Sequence, residues 1–258
     1  MKKFLLLVFI VLPILGCGYE VYYESSSSSS WQSSSSELSG NLSSSSRQQS
    51  SSSNLSSSSR QSGVILGVPV DYGDETYETI VIGSQIWFKR NLNYDPGTGN
   101  SDCSNGRAAN CDEYGRLYDW STAMGLASSC NSMSCSGQIN AKHRGICPSG
   151  WHIPSNEDWD TLVRYADGTS GTGSPYNSPT AGKYLKAASG WVSNGQDTYG
   201  FSALPRSNEE FINGGGWWSS SEYNSSYVYC LGMDDSESVS WHSGHKSSSL
   251  NSIRCLQD

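Results

Sequence analysis

The sequence is poor in charge and has no cluster of basic residues. Only 16% of its 258 residues are charged, with 16 lysines and arginines against 24 aspartates and glutamates. Nucleic-acid binding depends on basic side chains that neutralise phosphates, so this balance argues against a nucleic-acid partner. The chain also lacks a nucleophile elbow, a paired His/Glu motif and a phosphate-binding glycine loop. We therefore expect no catalytic residues, and a binding protein rather than an enzyme.

What the chain does contain is glycine (27 residues), tyrosine (15), tryptophan (9) and eight cysteines, together with many serines and asparagines. This composition suits a loop-rich extracellular β protein better than a helical cytosolic enzyme. Eight cysteines in an exported chain indicate disulfides formed in an oxidising compartment.

The N-terminus carries an export signal. Lys2 and Lys3 precede an apolar run that is too short to span a bilayer, which predicts a signal peptide over residues 1–16. Ile14-Leu-Gly-Cys17 resembles the bacterial lipobox, which implies that Cys17 is acylated and begins a lipidated N-terminus, residues 17–24. Gly18 after the cysteine implies the outer membrane, contacted only through this lipid anchor. The alternative is an ordinary secretory signal with a chance cysteine.

Residues 25–62 form a low-complexity segment with 24 serines in 38 positions. A partial repeat runs through it, because Asn41-Leu-Ser-Ser-Ser-Ser-Arg-Gln48 returns as Asn54-Leu-Ser-Ser-Ser-Ser-Arg-Gln61. Such a composition buries too little apolar surface to offset the entropy of ordering. We expect a disordered linker about 35 Å long on average, which carries the domain away from the membrane.

Residues 64–258 are one domain's worth of sequence, and their pattern predicts an α+β fold. Two β-rich runs, 79–82 and 85–88, flank a two-residue glycine turn and predict a hairpin. A helix is predicted from Leu117 to about Ala127, with Trp120, Met124 and Ala127 on one face. A capping box, Ser155-Asn-Glu-Asp158, predicts a second helix that ends at Gly168. A third is predicted over 180–188, and short strands dominate from residue 191.

Several motifs, in this order along the chain, resemble the Fibrobacter succinogenes major paralogous domain. They are Val81-Ile-Gly-Ser-Gln-Ile-Trp87, Asn91-Leu-Asn-Tyr94, Tyr114-Gly-Arg-Leu-Tyr118, Cys147-Pro-Ser-Gly-Trp-His-Ile-Pro-Ser155, Gly200-Phe-Ser-Ala-Leu-Pro205, Gly216-Trp-Trp-Ser-Ser-Ser-Glu222 and Ile253-Arg-Cys255. That family is similar to the C-type lectin-like fold, which includes formylglycine-generating enzymes. The resemblance implies a mixed fold of two or three helices and short antiparallel strands, stapled by disulfides, whose termini meet. It does not by itself imply a reaction.

Two cysteine pairs are close enough in sequence to close local rings, Cys103 with Cys111 and Cys130 with Cys135. The lectin-like resemblance implies a third bridge from Cys147, before the capped helix, to Cys255 in the last strand. With Cys17 acylated, this pairing leaves Cys230 unpaired. The alternative joins Cys230 to Cys255 and leaves Cys147 over.

Two short motifs could in principle hold a metal. His242-Ser-Gly-His245 offers two nitrogen ligands, but a solvent-exposed loop is favoured. Asp234-Asp-Ser-Glu237 offers oxygen ligands for calcium but lacks EF-hand spacing, so an exposed acidic turn is favoured. The Glu-Pro-Asn and Gln-Pro-Asp triplets of calcium-dependent sugar-binding lectins do not occur in the chain. We expect no cofactor and no metal site, and calcium stays an unsupported possibility.

The strongest candidate for a binding surface is a group of aromatic residues in the last third of the chain. Rigid rings among small polar residues are typical of recognition surfaces, and aromatic faces suit sugar rings. Trp151, Trp159, Trp217 and Trp218 are candidates for the core instead. The residues expected to be exposed and to bind a ligand are Tyr223, Asn224, Tyr227, Asp234, Trp241 and His242.

The sequence therefore predicts a surface-displayed module that binds a polysaccharide. The alternative partner is an envelope or secreted protein, in adhesion or assembly, with dimerisation through Cys230 as one form of it. A third hypothesis, an oxidase similar to formylglycine-generating enzymes, requires a reactive thiol, for which Cys230 is the candidate.

Overall fold

A computed structural model describes residues 64–170, 173–207 and 214–258. Cys17, the predicted signal peptide 1–16, the lipidated segment 17–24 and the linker 25–62 lie outside the described residues. The helices are α1 (Ala108–Tyr114), α2 (Trp120–Met124), α3 (Asn156–Asp167) and α4 (Ala181–Leu185), with 3-10 turns at Ser104–Gly106, Ser128–Asn131 and Ser136–Gln138. The strands are β1 (Ile65–Leu66), β2 (Val70–Tyr72), β3 (Glu75–Tyr77), β4 (Thr79–Ile82), β5 (Gln85–Phe88), β6 (Ser101–Asp102), β7 (Leu117–Tyr118), β8 (Trp151–His152), β9 (Gly215–Glu222), β10 (Tyr227–Met233), β11 (Val239–His245), β12 (Asn251–Ser252) and β13 (Leu256–Gln257).

The first and last strands of the described chain belong to one five-stranded sheet, in the order β1-β4-β5-β13-β8. The predicted hairpin is confirmed as β4 and β5, which pair antiparallel from Thr79 opposite Phe88 to Ile82 opposite Gln85. Strand β13 then pairs with both β5 and β8. The amino-terminal and carboxy-terminal strands of the domain are thus held in the same layer.

A second sheet of six strands has the order β11-β10-β9-β12-β7-β6. Its long part is the antiparallel meander β9-β10-β11, whose strands are seven or eight residues long. Strand β12 joins it in parallel, with Ser252 opposite Trp217, and pairs antiparallel with β7. The predicted α+β class, with short antiparallel strands and few helices, is confirmed.

Two hydrophobic cores lie against the six-stranded sheet, and adjacent tryptophans of β9 divide between them. Trp218 packs in one core with Tyr118, Trp120 and Cys230, while Trp217 packs in the other with Trp159 and Leu231. Successive side chains of a strand point to opposite faces, so the Trp-Trp pair anchors both sides of the sheet. Burial of the four candidate core tryptophans is confirmed, since Trp151, Trp159, Trp217 and Trp218 are all buried.

Both buried indoles of β9 have hydrogen-bond partners. Trp217 donates its Nε1 proton to Asn91 Oδ1 at 2.8 Å, and Trp218 donates to the carbonyl of Tyr118 at 2.7 Å. A buried indole nitrogen needs such an acceptor because leaving it unpaired costs about 1–3 kcal/mol. These bonds connect β9 to the chain more than ninety residues earlier, so they also fix the position of the sheet.

Helix α3 follows its sequence signals closely. The Ser155 hydroxyl accepts from the Asp158 backbone, and the Asp158 carboxylate accepts from the Ser155 backbone, which completes the predicted capping box. The helix ends at Gly168, whose φ of 72° is left-handed and favours glycine. Its apolar face buries Trp159, Leu162, Val163 and Ala166, as predicted.

The other two predicted helices are shorter than expected. Leu117 and Tyr118 form β7 instead of a helical turn, because they pair with β6 and β12. Helix α2 then begins after the N-cap Asp119 and stops at Gly125, which leaves Ala127 exposed rather than on the buried face. Helix α4 covers Ala181–Leu185 only, because Lys186 is already extended.

Three disulfides have both cysteines among the described residues, and they are the three predicted pairs. Cys103 bonds to Cys111, Cys130 to Cys135 and Cys147 to Cys255. The alternative Cys230–Cys255 bridge is therefore wrong.

The expectation of an unpaired Cys230 is also wrong, since the structure holds no free cysteine among its described residues and Cys230 is disulfide-bonded. Its sulfur is fully buried in β10, so it offers no surface for a bridge to a second copy.

Candidate functional site

The register of β10 against β11 decides which candidate residues share a surface. Tyr227 lies opposite His245, Tyr229 opposite Ser243 and Leu231 opposite Trp241. Directly opposed residues of an antiparallel pair point to the same face, and so do residues two apart on one strand. Tyr227, Tyr229 and Trp241 therefore share one face of the meander.

Five rings share this face in two contacting groups, Tyr223–Tyr229–Trp241 and Tyr227–His245, which together we call the aromatic ladder. Tyr223 and Tyr229 meet edge to face at 5.2 Å between ring centroids, and Tyr229 meets Trp241 at 6.0 Å. Beside them, Tyr227 meets His245 at 5.2 Å, again edge to face. Tyr223 is 57% exposed and Tyr227 41% exposed, so the ladder presents large rings to solvent.

Trp241 is held in place at the inner end of the ladder by two hydrogen bonds. Its Nε1 donates to Asp160 Oδ1 of α3 at 2.9 Å, and its backbone nitrogen donates to Asn177 Oδ1 at 2.7 Å. The same Asp160 oxygen accepts from the backbone of Tyr176 at 2.9 Å. The Trp241 indole is half-buried and hydrogen-bonded to the buried Asp160 carboxylate, so its rotamer is already fixed. Binding a ligand would therefore cost little side-chain entropy, and Trp241 is preorganised.

Asn224 shapes the turn that brings Tyr223 and Tyr227 together. Its Oδ1 accepts from the backbone nitrogens of Ser226 and Tyr227, each at 2.9 Å. The backbone of Tyr223 also donates to the carbonyl of Tyr227 at 3.1 Å. Asn224 is exposed, as expected, and its carbonyl oxygen serves the turn that positions two rings of the ladder.

His242 lies on the opposite face of the sheet from the ladder. It is opposite Cys230, and its ring contacts Gly232, where any added Cβ would meet His242 Cδ2 at 2.6 Å. Burial lowers the pKa of His242, and the charge of Asp234 partly offsets that shift. Because His245 contacts Tyr227 on the ladder side, the two histidines of the His242-Ser-Gly-His245 motif point to different faces. The structure thus separates His242, which is half-buried, from Tyr223, Tyr227 and Trp241.

Asp234 belongs to a third location, the acidic turn after β10. The ammonium of Lys186 fills this turn, where its Nζ donates to the carbonyls of Ser193, Asp234 and Ser236 at 2.8–2.9 Å. Nζ also lies 5.0 Å from the centre of the Trp191 ring. Burial lowers the pKa of Lys186, while Asp235, Asp234 and Glu237 raise it.

The acidic turn that offered oxygen ligands for calcium is thus occupied by an internal cation. Across residues 64–170, 173–207 and 214–258, no group of three or more His, Cys, Asp or Glu side chains is arranged to hold a metal ion.

Sequence reasoning found three members of the ladder but missed the residues that position them. Asp160 and Asn177 precede Trp241 by 81 and 64 residues, and nothing local marks either as its partner. The alternation of side chains along β11 was a signal that could have separated His242 from Trp241, since neighbours on a strand point to opposite faces.

The fold and the ladder define a disulfide-stapled α+β domain with one aromatic face. The sequence model of the Fibrobacter succinogenes major domain matches residues 80–257, which include every residue of the ladder, and the chain belongs to that family. No curated protein and no solved structure matches the chain. Within the described residues, no helix has the length and apolar character needed to cross a bilayer.

Proposed function

We propose that this protein binds polysaccharide outside the cytoplasm through the aromatic ladder. The observation that carries the proposal is the contiguous group of Tyr223, Tyr229 and Trp241, with Tyr227 on the same face of the β-meander and two of the four rings widely exposed. Tyrosine and tryptophan supply large contact area at a low cost in conformational entropy.

The chemistry of the ladder suits a sugar chain. Aromatic faces pack against the C–H faces of sugar rings, while phenol and amide groups satisfy hydroxyls. The Tyr223, Tyr227 and Tyr229 hydroxyls and the Asn224 amide supply such groups beside the rings. Several rings in a row fit a repeating ligand better than a single small molecule, because successive sugar units can occupy successive rings.

We also propose a C-type lectin-like relationship for the fold. Two observations support it: β1 and β13 lie in one sheet, and the Cys147–Cys255 bridge joins the segment before α3 to the segment before β13. Calcium-dependent sugar binding is not part of the proposal, because the chain has no Glu-Pro-Asn or Gln-Pro-Asp triplet and Lys186 fills the acidic turn.

The proposed location is the outer membrane, with Cys17 lipidated and residues 25–62 as the linker. Three disulfides support an oxidising compartment, which agrees with an export signal. Cell fractionation of the wild type and of Cys17→Ser tests the anchor. We expect the wild type in the membrane fraction and the variant outside it, and equal membrane association of both proteins would contradict lipidation.

Retention on insoluble polysaccharides tests the binding function. The full-length protein is extracted in detergent and incubated with a panel of cellulose, xylan, chitin and pectate, and the bound fraction is measured. We expect retention on at least one polymer and its loss in Tyr227→Ala. Tyr165→Ala is the matched control, since Tyr165 is 46% exposed and packs against Tyr199 rather than against the ladder. No retention on any polymer would refute the proposal and favour a protein partner.

A further inference from the structure

A groove of about 310 Å³ is lined in part by Glu222, the residue before Tyr223 of the aromatic ladder, and takes no part in the proposed function. Three elements form its walls: the first turn of α3, the end of β9, and the loop of residues 136–141. Both α3 and β9 are connected to the ladder, since Asp160 of α3 accepts a hydrogen bond from Trp241 and Tyr223 directly follows β9. Its volume is at the lower end of the ~300–1,000 Å³ range of small-molecule sites.

Glu222 gives the groove a fixed, buried carboxylate. Its Oε1 accepts from Lys246 Nζ at 2.7 Å and from the backbone of Cys135 at 2.8 Å, while Oε2 accepts from the Ser134 hydroxyl at 2.6 Å. The Glu222 side chain is only 7% exposed. An ionised carboxylate has about four lone-pair positions, so Oε2 can accept one more hydrogen bond from a ligand.

Glu157 adds a second carboxylate at the mouth of the groove. It lies in the first turn of α3, is exposed, and its carboxylate has no hydrogen bond or ion pair with any residue described by the structure. The Ser221 hydroxyl accepts from the backbone of Asn156 at 3.1 Å, which leaves its own proton free to donate. Asn140 and Ile139 complete the opposite wall with an amide and an apolar surface.

This lining is rich in acceptors and contains no lysine or arginine among the described residues. Lys246 lies behind Glu222 and donates to Glu222 and to the carbonyls of Met133 and Ser225, so its charge faces the protein. An acidic ligand would approach two carboxylates in a chain whose net charge is −8. A ligand rich in hydroxyl donors would satisfy those same carboxylates with charge-assisted hydrogen bonds.

We infer that the groove is a subsite for one uncharged sugar residue of the polysaccharide, and that it selects neutral glycans over acidic ones. The inference rests on the proposed function, because the ladder is the surface that would hold the adjoining part of the same chain. Glu157 and Glu222 accept from the sugar hydroxyls, Ser221 donates, and Ile139 contacts the C–H face of the ring.

The test compares soluble hexasaccharides of glucose, xylose, N-acetylglucosamine and galacturonate as ligands for the full-length protein, by isothermal titration calorimetry. We expect at least one neutral hexamer to bind at least tenfold more tightly than the galacturonate hexamer. Glu157→Gln should weaken neutral binding three- to tenfold, and Glu157→Lys should narrow the gap between neutral and acidic ligands. Glu113→Gln, at an exposed glutamate of α1 outside the groove, should bind like the wild type.

The outcomes separate the groove from the ladder. If Tyr227→Ala loses binding while both Glu157 variants bind like the wild type, the groove is not a subsite and the ladder proposal stands. Equal or tighter binding of the galacturonate hexamer would overturn the inferred selectivity. Binding that depends on Glu157 but not on Tyr227 would support the groove and refute the ladder, and no binding of any hexamer or polymer would overturn both.

Discussion

Glu222 and Lys246 form an ion pair 2.7 Å long that is almost completely enclosed, with 7% of the glutamate side chain and none of the lysine side chain exposed. The ammonium also lies 4.6 Å from the centre of the Trp120 ring. Glu222 in turn holds the loop closed by the Cys130–Cys135 disulfide, through its bonds to Ser134 and Cys135. One pair thus joins the end of β9 to the loop that directly precedes the groove wall of residues 136–141.

Removing one partner of this pair should be much more costly than removing both. Lys246→Met leaves a buried carboxylate without its counter-charge, and we expect unfolding free energy to fall by about 3–5 kcal/mol. In the double variant Glu222→Leu/Lys246→Met, most of that loss should be recovered, because no charge stays buried. Urea denaturation of the wild type, both single variants and the double variant measures the coupling. Equal losses in Lys246→Met and the double variant would contradict an enclosed pair.

The Glu222–Lys246 pair also determines how the free energy of unfolding should depend on pH. Burial by itself would raise the pKa of Glu222, but hydrogen bonds from Lys246, Ser134 and Cys135 and the Lys246 charge outweigh it, so the pKa lies below its ordinary value. The ionised carboxylate therefore stabilises the fold above the unfolded pKa of about 4.3, and this contribution is lost as pH falls through the lower folded value. Unfolding free energy measured from pH 6 to pH 3 should fall less steeply in Glu222→Leu/Lys246→Met than in the wild type. Parallel slopes for the two proteins would refute this role.

Because Lys186 occupies the acidic turn, we expect calcium to leave the thermal stability of the fold unchanged. Its ammonium donates to three backbone carbonyls, two of them in the acidic turn, so Lys186→Met should cost about 1.5–3 kcal/mol through the loss of hydrogen bonds from a charged donor. Lys183→Met is the control, because its pair with Glu237 is solvent-exposed and should be worth less than about 1 kcal/mol. In thermal unfolding, neither millimolar CaCl₂ nor EDTA should move the Tm of the wild type. A rise in Tm with calcium would show that the turn binds the ion despite Lys186.

The long disulfide should contribute more to stability than the short ones. Cys147–Cys255 spans 108 residues, whereas Cys103–Cys111 spans eight. In the chain-entropy description, closing the longer loop stabilises by about 4.7 kcal/mol and the shorter by about 2.5 kcal/mol. Urea denaturation of Cys147→Ala/Cys255→Ala and Cys103→Ala/Cys111→Ala compares the two bridges. A larger loss in the Cys103 pair would contradict the ranking.

Local signals in the sequence were sufficient for the parts of the fold that are local. The hairpin of β4 and β5, the capping box of α3 and the two short disulfides each depend on residues fewer than about a dozen positions apart. The Cys147–Cys255 bridge is different, because it followed from the family resemblance and not from spacing.

The errors of prediction lie where long-range pairing overrides local preference. Tyr118 fits a helical pattern, but it forms β7 because Asn251 lies opposite it in β12, 133 residues later. No local rule reveals such a partner. Gly125 ends α2 early through its left-handed φ of 62°, and this stop signal was readable from the sequence.

The candidate site shows the same division. An aromatic cluster near residues 223–241 was visible in composition, but membership of one face depends on the register of β10 against β11. That register places Tyr229 and Trp241 on one face of the sheet and His242 on the opposite face. Asp160 can position Trp241 only because the fold brings α3 and β11 together. The groove beside Glu222 likewise forms where α3, β9 and the loop of residues 136–141 meet, and these are distant in sequence.

The affinity of the ladder for a neutral polysaccharide tests the account most directly. Native gels containing the polymer that retains the wild type give the Kd of the wild type, of Tyr223→Ala/Tyr227→Ala and of Tyr165→Ala. Tyr223 and Tyr227 are both exposed, so their truncation should leave the fold intact and weaken binding at least tenfold, a loss of about 1.4 kcal/mol or more. Tyr165→Ala should migrate like the wild type. An unchanged Kd in the double variant would show that the polysaccharide is bound somewhere other than the aromatic ladder.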